Sequence, residues 1–280
     1  MTTVLDLQRF KAARRRFAML TAYDFTTAQL LEAAEIPVLL VGDSAGMVML
    51  GYPTTIPVTM EELLVLARAV SRGAQNALLV GDLPFLAYQA SAEDAVRNAG
   101  RLLKEGGMHA VKLEGGGPSA LEAVRRLVEA GIPVMGHLGL TPQSVHRMGG
   151  FKVQGREAAS AARLAAEAIA LEQAGAFAVV LEGIPADLSA KITGELRIPT
   201  IGIGAGPDCD GQVLVVNDML GLTPGHKPKF VKHFAKLGDE VIAAARRYAG
   251  EVEAGTFPGA DNSYAGQLQP VVEQAGQTSR

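Results

Sequence analysis

Eight short aliphatic runs, separated by segments with helical punctuation, constrain this chain more than any other feature. They fall at 17–22, 37–42, 77–81, 110–113, 132–136, 176–181, 198–203 and 212–216. They are continuous rather than alternating, which marks strands buried on both faces, as in a parallel sheet covered by helices. Between them, Thr59 to Glu62 reads as a capping box, with the Thr oxygen accepting an early amide N–H and the Glu reaching back. Leu63, Leu66, Ala67 and Val70 then form one apolar stripe, closed by Gly73. Ser91 to Asp94 and Ser119 to Glu122 carry a similar start signal. Their stripes are Val96, Ala99, Leu103 and Val124, Leu127, Val128, closing at Gly106 and Gly131.

Strand and helix repeated eight times is the rhythm of an α/β fold of the (β/α)8 TIM barrel type. A doubly wound open sheet is the alternative, but it would want a glycine fingerprint after its first strand. Here that strand ends "LTAYDFTTA". Residues 4–14 predict an extra amphipathic helix before the first strand. At about 150 residues per domain, the length leaves one domain or two open. The repeat favours one barrel over 1–250, including the N-terminal helix, followed by a Gly/Gln/Ser-rich C-terminal tail over 251–280.

Composition narrows the function. Lys and Arg number 26 against 29 Asp and Glu, and no run of like charges exceeds Arg14 to Arg16, so a nucleic-acid footprint is not expected. No apolar stretch approaches the roughly 20 residues of a membrane span, and no apolar segment of a signal peptide follows the arginines. A cytoplasmic location is expected. The single cysteine, Cys209, excludes an internal disulfide and any multi-cysteine metal site.

In such barrels the chemistry sits at the C-terminal ends of the strands. Those ends read Asp24, Asp43 with Ser44, Asp82, Glu114, His137, Glu182, the Gly202–Gly204–Gly206 turn, and Asn217 with Asp218. Asp43, Asp82 and Glu114 come from consecutive strands about 4.8 Å apart. Two carboxylates about 4 Å apart repel by about 4 kcal/mol at an effective dielectric of about 20, so something must offset them. Each could cap a helix or pair with its own base, yet the loops "GDSAGMVMLGYPTT", "GDLPFLAY" and "LEGGGPSA" hold no Arg or Lys. A hard divalent cation, Mg²⁺ above all, suits this oxygen set, and zinc is disfavoured without paired His or Cys ligands.

Lys112 lies two residues before Glu114, so both point into the barrel, Lys112 one layer deeper. It can act as a structural counter-ion, hold an anionic substrate, or form a Schiff base. Glu182 stands two strands beyond Glu114, placed to remove an α-proton from a substrate lying between it and the metal, or simply to cap a helix near 187–195. His137 faces the same mouth as a substrate contact or a satisfied rim residue. His109, His146, His226 and His233 read as surface or structural. The "IGIGAG" turn resembles a phosphate cradle, though such turns also merely give room.

At these residues the chain resembles the ketopantoate hydroxymethyltransferase family. The likeness runs in order through "LTAYD", "VGDSAGMVMLG", "GDLPF", "VKLEGG", "PVMGHLGLTPQS", "GGFKVQGR", "LEGIP", "IPTIGIGAG", "DGQVLVVND" and "DMLGL", then "PKF" and "FPG". The resemblance implies transfer of a hydroxymethyl group from 5,10-methylenetetrahydrofolate to the 2-oxo acid 3-methyl-2-oxobutanoate, giving 2-dehydropantoate for pantothenate biosynthesis. It implies Mg²⁺ on Asp43, Asp82 and Glu114. Substrate contacts fall at Asp43, Ser44, Asp82, Lys112 and His137, with Glu182 as the catalytic base. It also implies a cytoplasmic homo-oligomer, commonly a decamer. Ala45, Tyr52 and Leu66 depart from the usual pattern and bear on loop packing and folate contacts rather than on the metal set. The rival readings are a Mg²⁺-dependent 2-oxo-acid aldolase or lyase of the phosphoenolpyruvate/pyruvate type, and a non-catalytic barrel.

Overall fold

The computed structural model describes residues 1–225 and 228–266. His226 and residues 267–280 of the expected tail therefore lie outside the described residues. Met1–Ala235 form one compact unit, and a second begins at Lys236.

The first unit is a closed parallel barrel with strands in chain order and β8 pairing back onto β1. Its strands are β1 (Phe17–Thr21), β2 (Val38–Val41), β3 (Leu78–Asp82), β4 (Ala110–Glu114), β5 (Val134–Gly139), β6 (Ala178–Glu182), β7 (Thr200–Ile203) and β8 (Gly211–Leu214). All eight expected strands are present, and the open-sheet alternative falls because closure leaves no sheet edge. α1 (Val4–Ala12) precedes the barrel, two residues shorter at its end than expected. The crossovers carry α2 (Phe25–Ala33), α3 (Ala45–Val48), α4 (Met60–Gly73), α5 (Ala92–Lys104), α6 (Pro118–Glu129), α7 (Val145–Met148), α8 (Ala158–Gln173), α9 (Ala186–Glu195) and α10 (Val216–Met219). The second unit holds α11 (Leu237–Glu253).

Period-two alternation sorts each strand into two layers. Met19, Val38, Leu40, Leu78, Val80, Ala110, Met135, Ala178, Val180, Ile201 and Val213 fill the barrel interior, where Leu7 of α1 joins them. Leu39, Val41, Leu79, Val111, Leu113, Val134, Val179 and Leu181 point outward and pack with the helices. That double burial explains the continuous apolar runs. The same alternation carries Asp82, Lys112, Glu114, His137 and Glu182 onto the interior face, because each follows an interior residue by two or four positions.

Helix starts follow the capping signals with one exception. Thr59 and Glu62 make the reciprocal capping box of α4, and Ser91 accepts from the Asp94 amide at α5. Ser119 does not cap α6, which begins one residue earlier at Pro118 with Gly117 at the cap. Proline at the first helical position needs no N–H partner there, so it sets the start instead. The buried rows also shift: α5 buries Ala95, Ala99 and Leu102, leaving Val96 and Leu103 at the margin.

Candidate active site

The interior face of β3, β4, β5 and β6 ends in five ionisable side chains around one cavity of about 950 Å³. Register places them side by side: Asp82 is the Cα partner of Lys112, Glu114 of His137, and Gly139 of Glu182. Asp43, one turn beyond β2, joins the set by donating its backbone N–H to Asp82 Oδ2 at 3.0 Å. Asp43, Asp82, Lys112, Glu114 and His137 are buried. Glu182 keeps part of its carboxylate exposed to the cavity.

Lys112 Nζ lies 2.7 Å from Asp82 Oδ1. Burial pulls its pKa down, but the charges of Asp82, Glu114 and Asp43 outweigh that and hold it above the ordinary lysine value. With its Nζ ion-paired to Asp82, Lys112 is placed as a counter-ion or a holder of an anion. His137 bridges the two halves of the site. Its Nδ1 is 3.4 Å from both Glu114 Oε1 and Lys112 Nζ, and its Nε2 is 3.2 Å from Glu182 Oε2. Burial and the Lys112 charge depress its pKa, while Glu114 and Glu182 raise it further, to about 9. Glu182 does not cap α9, whose cap is Pro185 with no side-chain bond. Asp24, by contrast, is a helix cap, accepting from the Thr27 amide at 2.8 Å.

Three buried carboxylates face one buried ammonium. Burial first, then repulsion from Asp82 and Glu114, pushes the Asp43 carboxyl well above its usual range. Burial raises Asp82 too, against the pull of Lys112. Asp82 Oδ1 meets only the Lys112 ammonium, at 2.7 Å, among the described residues. Three hard carboxylates facing one ammonium leave excess negative charge, a donor set that fits a divalent cation. Among the described residues, no three His, Cys, Asp or Glu side chains gather closely enough to hold an ion by themselves.

Ser44 lines the cavity with its hydroxyl 2.8 Å from the Tyr23 hydroxyl. The "IGIGAG" turn lines it as well, and its glycines give room: Gly204 (φ +61°) lies beneath the Phe230 ring and Gly206 (φ +83°) against Ala186. His109 is structural, accepting from the Leu79 amide at 3.1 Å. Sequence reasoning missed Thr55, whose residue lines the cavity and whose buried hydroxyl has no partner among the described residues, and the Tyr88–Gln143 pair behind the acids. The run "GYPTT" gives Thr55 no periodicity to reveal it. The cavity rim adds Phe151, Lys152, Lys229 and Phe230.

A family model described as ketopantoate hydroxymethyltransferase matches residues 1–260. The chain is 57% identical over 262 residues to a 3-methyl-2-oxobutanoate hydroxymethyltransferase of Syntrophus aciditrophicus, covering 94% of this chain and 96% of the relative. It is 58% identical to one of Frankia alni, covering 94% and 86%. Among solved structures it resembles a phosphonopyruvate hydrolase complex with oxalate and Mg²⁺ (TM-score 0.62, 13% identity, 95% and 92% covered). It also resembles a 2,3-dimethylmalate lyase of the PEP mutase/isocitrate lyase superfamily (TM-score 0.57, 16% identity, 95% and 92% covered). At those identities the solved structures show the fold alone.

Proposed function

The chain belongs to the ketopantoate hydroxymethyltransferase family of one-carbon transferases, and from that premise we propose how its site works. It takes 3-methyl-2-oxobutanoate and 5,10-methylenetetrahydrofolate and forms 2-dehydropantoate. The observation that carries this reading is the division of the cavity. Three carboxylates and one ammonium lie on one side, and the Glu182 carboxylate, which also lines the cavity, stands one imidazole away.

Asp43, Asp82 and Glu114 would hold Mg²⁺, which supplies a Lewis acid for the keto oxygen of the 2-oxo acid. Lys112 and the Ser44 hydroxyl hold the anionic end of the substrate. Glu182 accepts the C3 proton, and His137, between Glu114 and Glu182, keeps that carboxylate aimed into the cavity. The C3 carbon, left with the electron pair of the broken C–H bond, attacks the one-carbon unit. Water supplies the product's hydroxyl oxygen, and tetrahydrofolate leaves. A volume of about 950 Å³ lies near the top of the roughly 300–1,000 Å³ range for drug-sized ligands, which supports a large second substrate beside a five-carbon acid. The exposed Phe151 and Phe230 at the rim offer apolar surface for it. Cytoplasmic location and assembly into a homodecamer complete the reading. Light scattering on the purified protein tests the assembly.

The test is proton NMR of 3-methyl-2-oxobutanoate with Mg²⁺, with and without methylenetetrahydrofolate. We expect C3 exchange in both and hydroxymethylation only with the folate. Cleavage of a 2-oxo acid without folate would instead favour the lyase chemistry named for the fold's more distant neighbours.

A further inference from the structure

Gln143, in the loop after β5, is 5% exposed and does not line the cavity. It nevertheless touches two of the three acids. Its side-chain Nε2 donates to Asp43 Oδ2 at 2.8 Å and to the Leu83 carbonyl at 3.0 Å. Its backbone N–H donates to Glu114 Oε2 at 3.0 Å. On the other side, its Oε1 accepts from the Tyr88 hydroxyl at 3.1 Å and from Gln89 Nε2 at 3.0 Å.

The chemistry of these partners fixes the amide. The Leu83 carbonyl can only accept, so the group facing it must be the NH₂, and both its hydrogens are then used, one on Leu83 and one on Asp43. The Tyr88 hydroxyl accepts the Glu114 N–H at 3.0 Å and shares its one hydrogen between the Glu114 carbonyl at 3.0 Å and Gln143 Oε1 at 3.1 Å, so it and Gln89 Nε2 together hold Oε1 on the far side. One residue therefore ties the ends of β2, β3 and β4 together from behind. It occupies one oxygen of Asp43 and one of Glu114, leaving Asp43 Oδ1 and Glu114 Oε1 free of its bonds.

We propose that Gln143 is a positioning residue for the metal carboxylates, held in orientation by Tyr88. This rests on the reading of Asp43, Asp82 and Glu114 as the Mg²⁺ ligands. Partners that orient metal ligands typically change metal affinity by about 10- to 100-fold when removed.

The test measures Mn²⁺ binding to the metal-free full-length enzyme by electron paramagnetic resonance, with Mg²⁺ as competitor and no substrate. Melting of the metal-free protein is followed in parallel. Gln143→Met keeps the volume and the backbone N–H but removes both side-chain donors, and should weaken the Kd about tenfold or more. Tyr88→Phe removes one bond holding the amide and should weaken it about two- to tenfold, giving a second reading should Gln143→Met not fold. Folded variants with wild-type Mn²⁺ affinity, whatever their melting temperature, would overturn the inference alone. A wild-type protein that binds neither Mn²⁺ nor Mg²⁺ would overturn the metal reading and the inference with it.

Discussion

Among the described residues, the Glu182 carboxylate has one close polar side-chain neighbour in the site, His137 Nε2 at 3.2 Å, and it lines the cavity. A carboxylate held by one neighbour and otherwise open to substrate has the freedom a proton acceptor needs. Glu182→Gln should leave Mg²⁺ and 2-oxo-acid binding intact while slowing C3 deuteron exchange about a hundredfold or more, as followed by NMR. Unchanged exchange would remove it as the base. The acids were legible in the sequence because a charge directly after an apolar barrel strand stands out, although the same signal also picks out Asp24, which caps α2. Thr55 and Gln143 were not, since an uncharged polar residue in a loop gives no periodic or electrostatic signal. Only their buried, convergent surroundings mark them.

At the scale of elements, glutamates near helix C-termini tie down the entries to two strands, Glu32 before β3 and Glu172 before β7. Glu32, on α2, accepts from the Asn76 amide at 2.7 Å and its side-chain nitrogen at 2.6 Å, and from the Ala77 amide at 3.3 Å, just before β3. Burial raises its pKa, but these N–H donors lower it more, so the folded value is depressed. Its contribution is therefore present above the unfolded carboxyl value of about 4.3 and is lost as pH falls through the lower folded value. Glu32→Ala should cost about 1 kcal/mol at neutral pH after solvent screening, roughly 2–4 °C in melting temperature. The gap between variant and wild type should narrow as pH falls below the unfolded carboxyl value of about 4.3, and calorimetry across pH checks this. A constant gap would show that the charge is irrelevant. Tyr52, one of the residues departing from the family pattern, bonds Glu62 Oε1 at 2.5 Å and so ties the loop after α3 to the cap of α4. Such long-range ties were invisible in the sequence, whereas the capping box at Thr59 was plain because it is local.

Across the whole molecule, a closed barrel leaves no strand edge free and gathers the ends of its strands around one mouth. Occupation of that mouth should stabilise everything built on it. Mg²⁺ at about 100 times its Kd should add about 2.7 kcal/mol, roughly 5–10 °C in melting temperature, and Asp43→Asn should abolish the shift. An equal shift in the variant would place the ion elsewhere. Among the described residues, no helix is long and apolar enough to cross a membrane. The sequence by itself determined the eight strands, their interior faces and the acids at their ends, because burial on both sides and period-two alternation are written residue by residue. Only the tertiary structure decided that Lys112 pairs with Asp82, that His137 stands between Glu114 and Glu182, and that Gln143 ties two acids from behind. Those contacts join residues up to a hundred positions apart, and only barrel closure and strand register bring them within hydrogen-bonding reach.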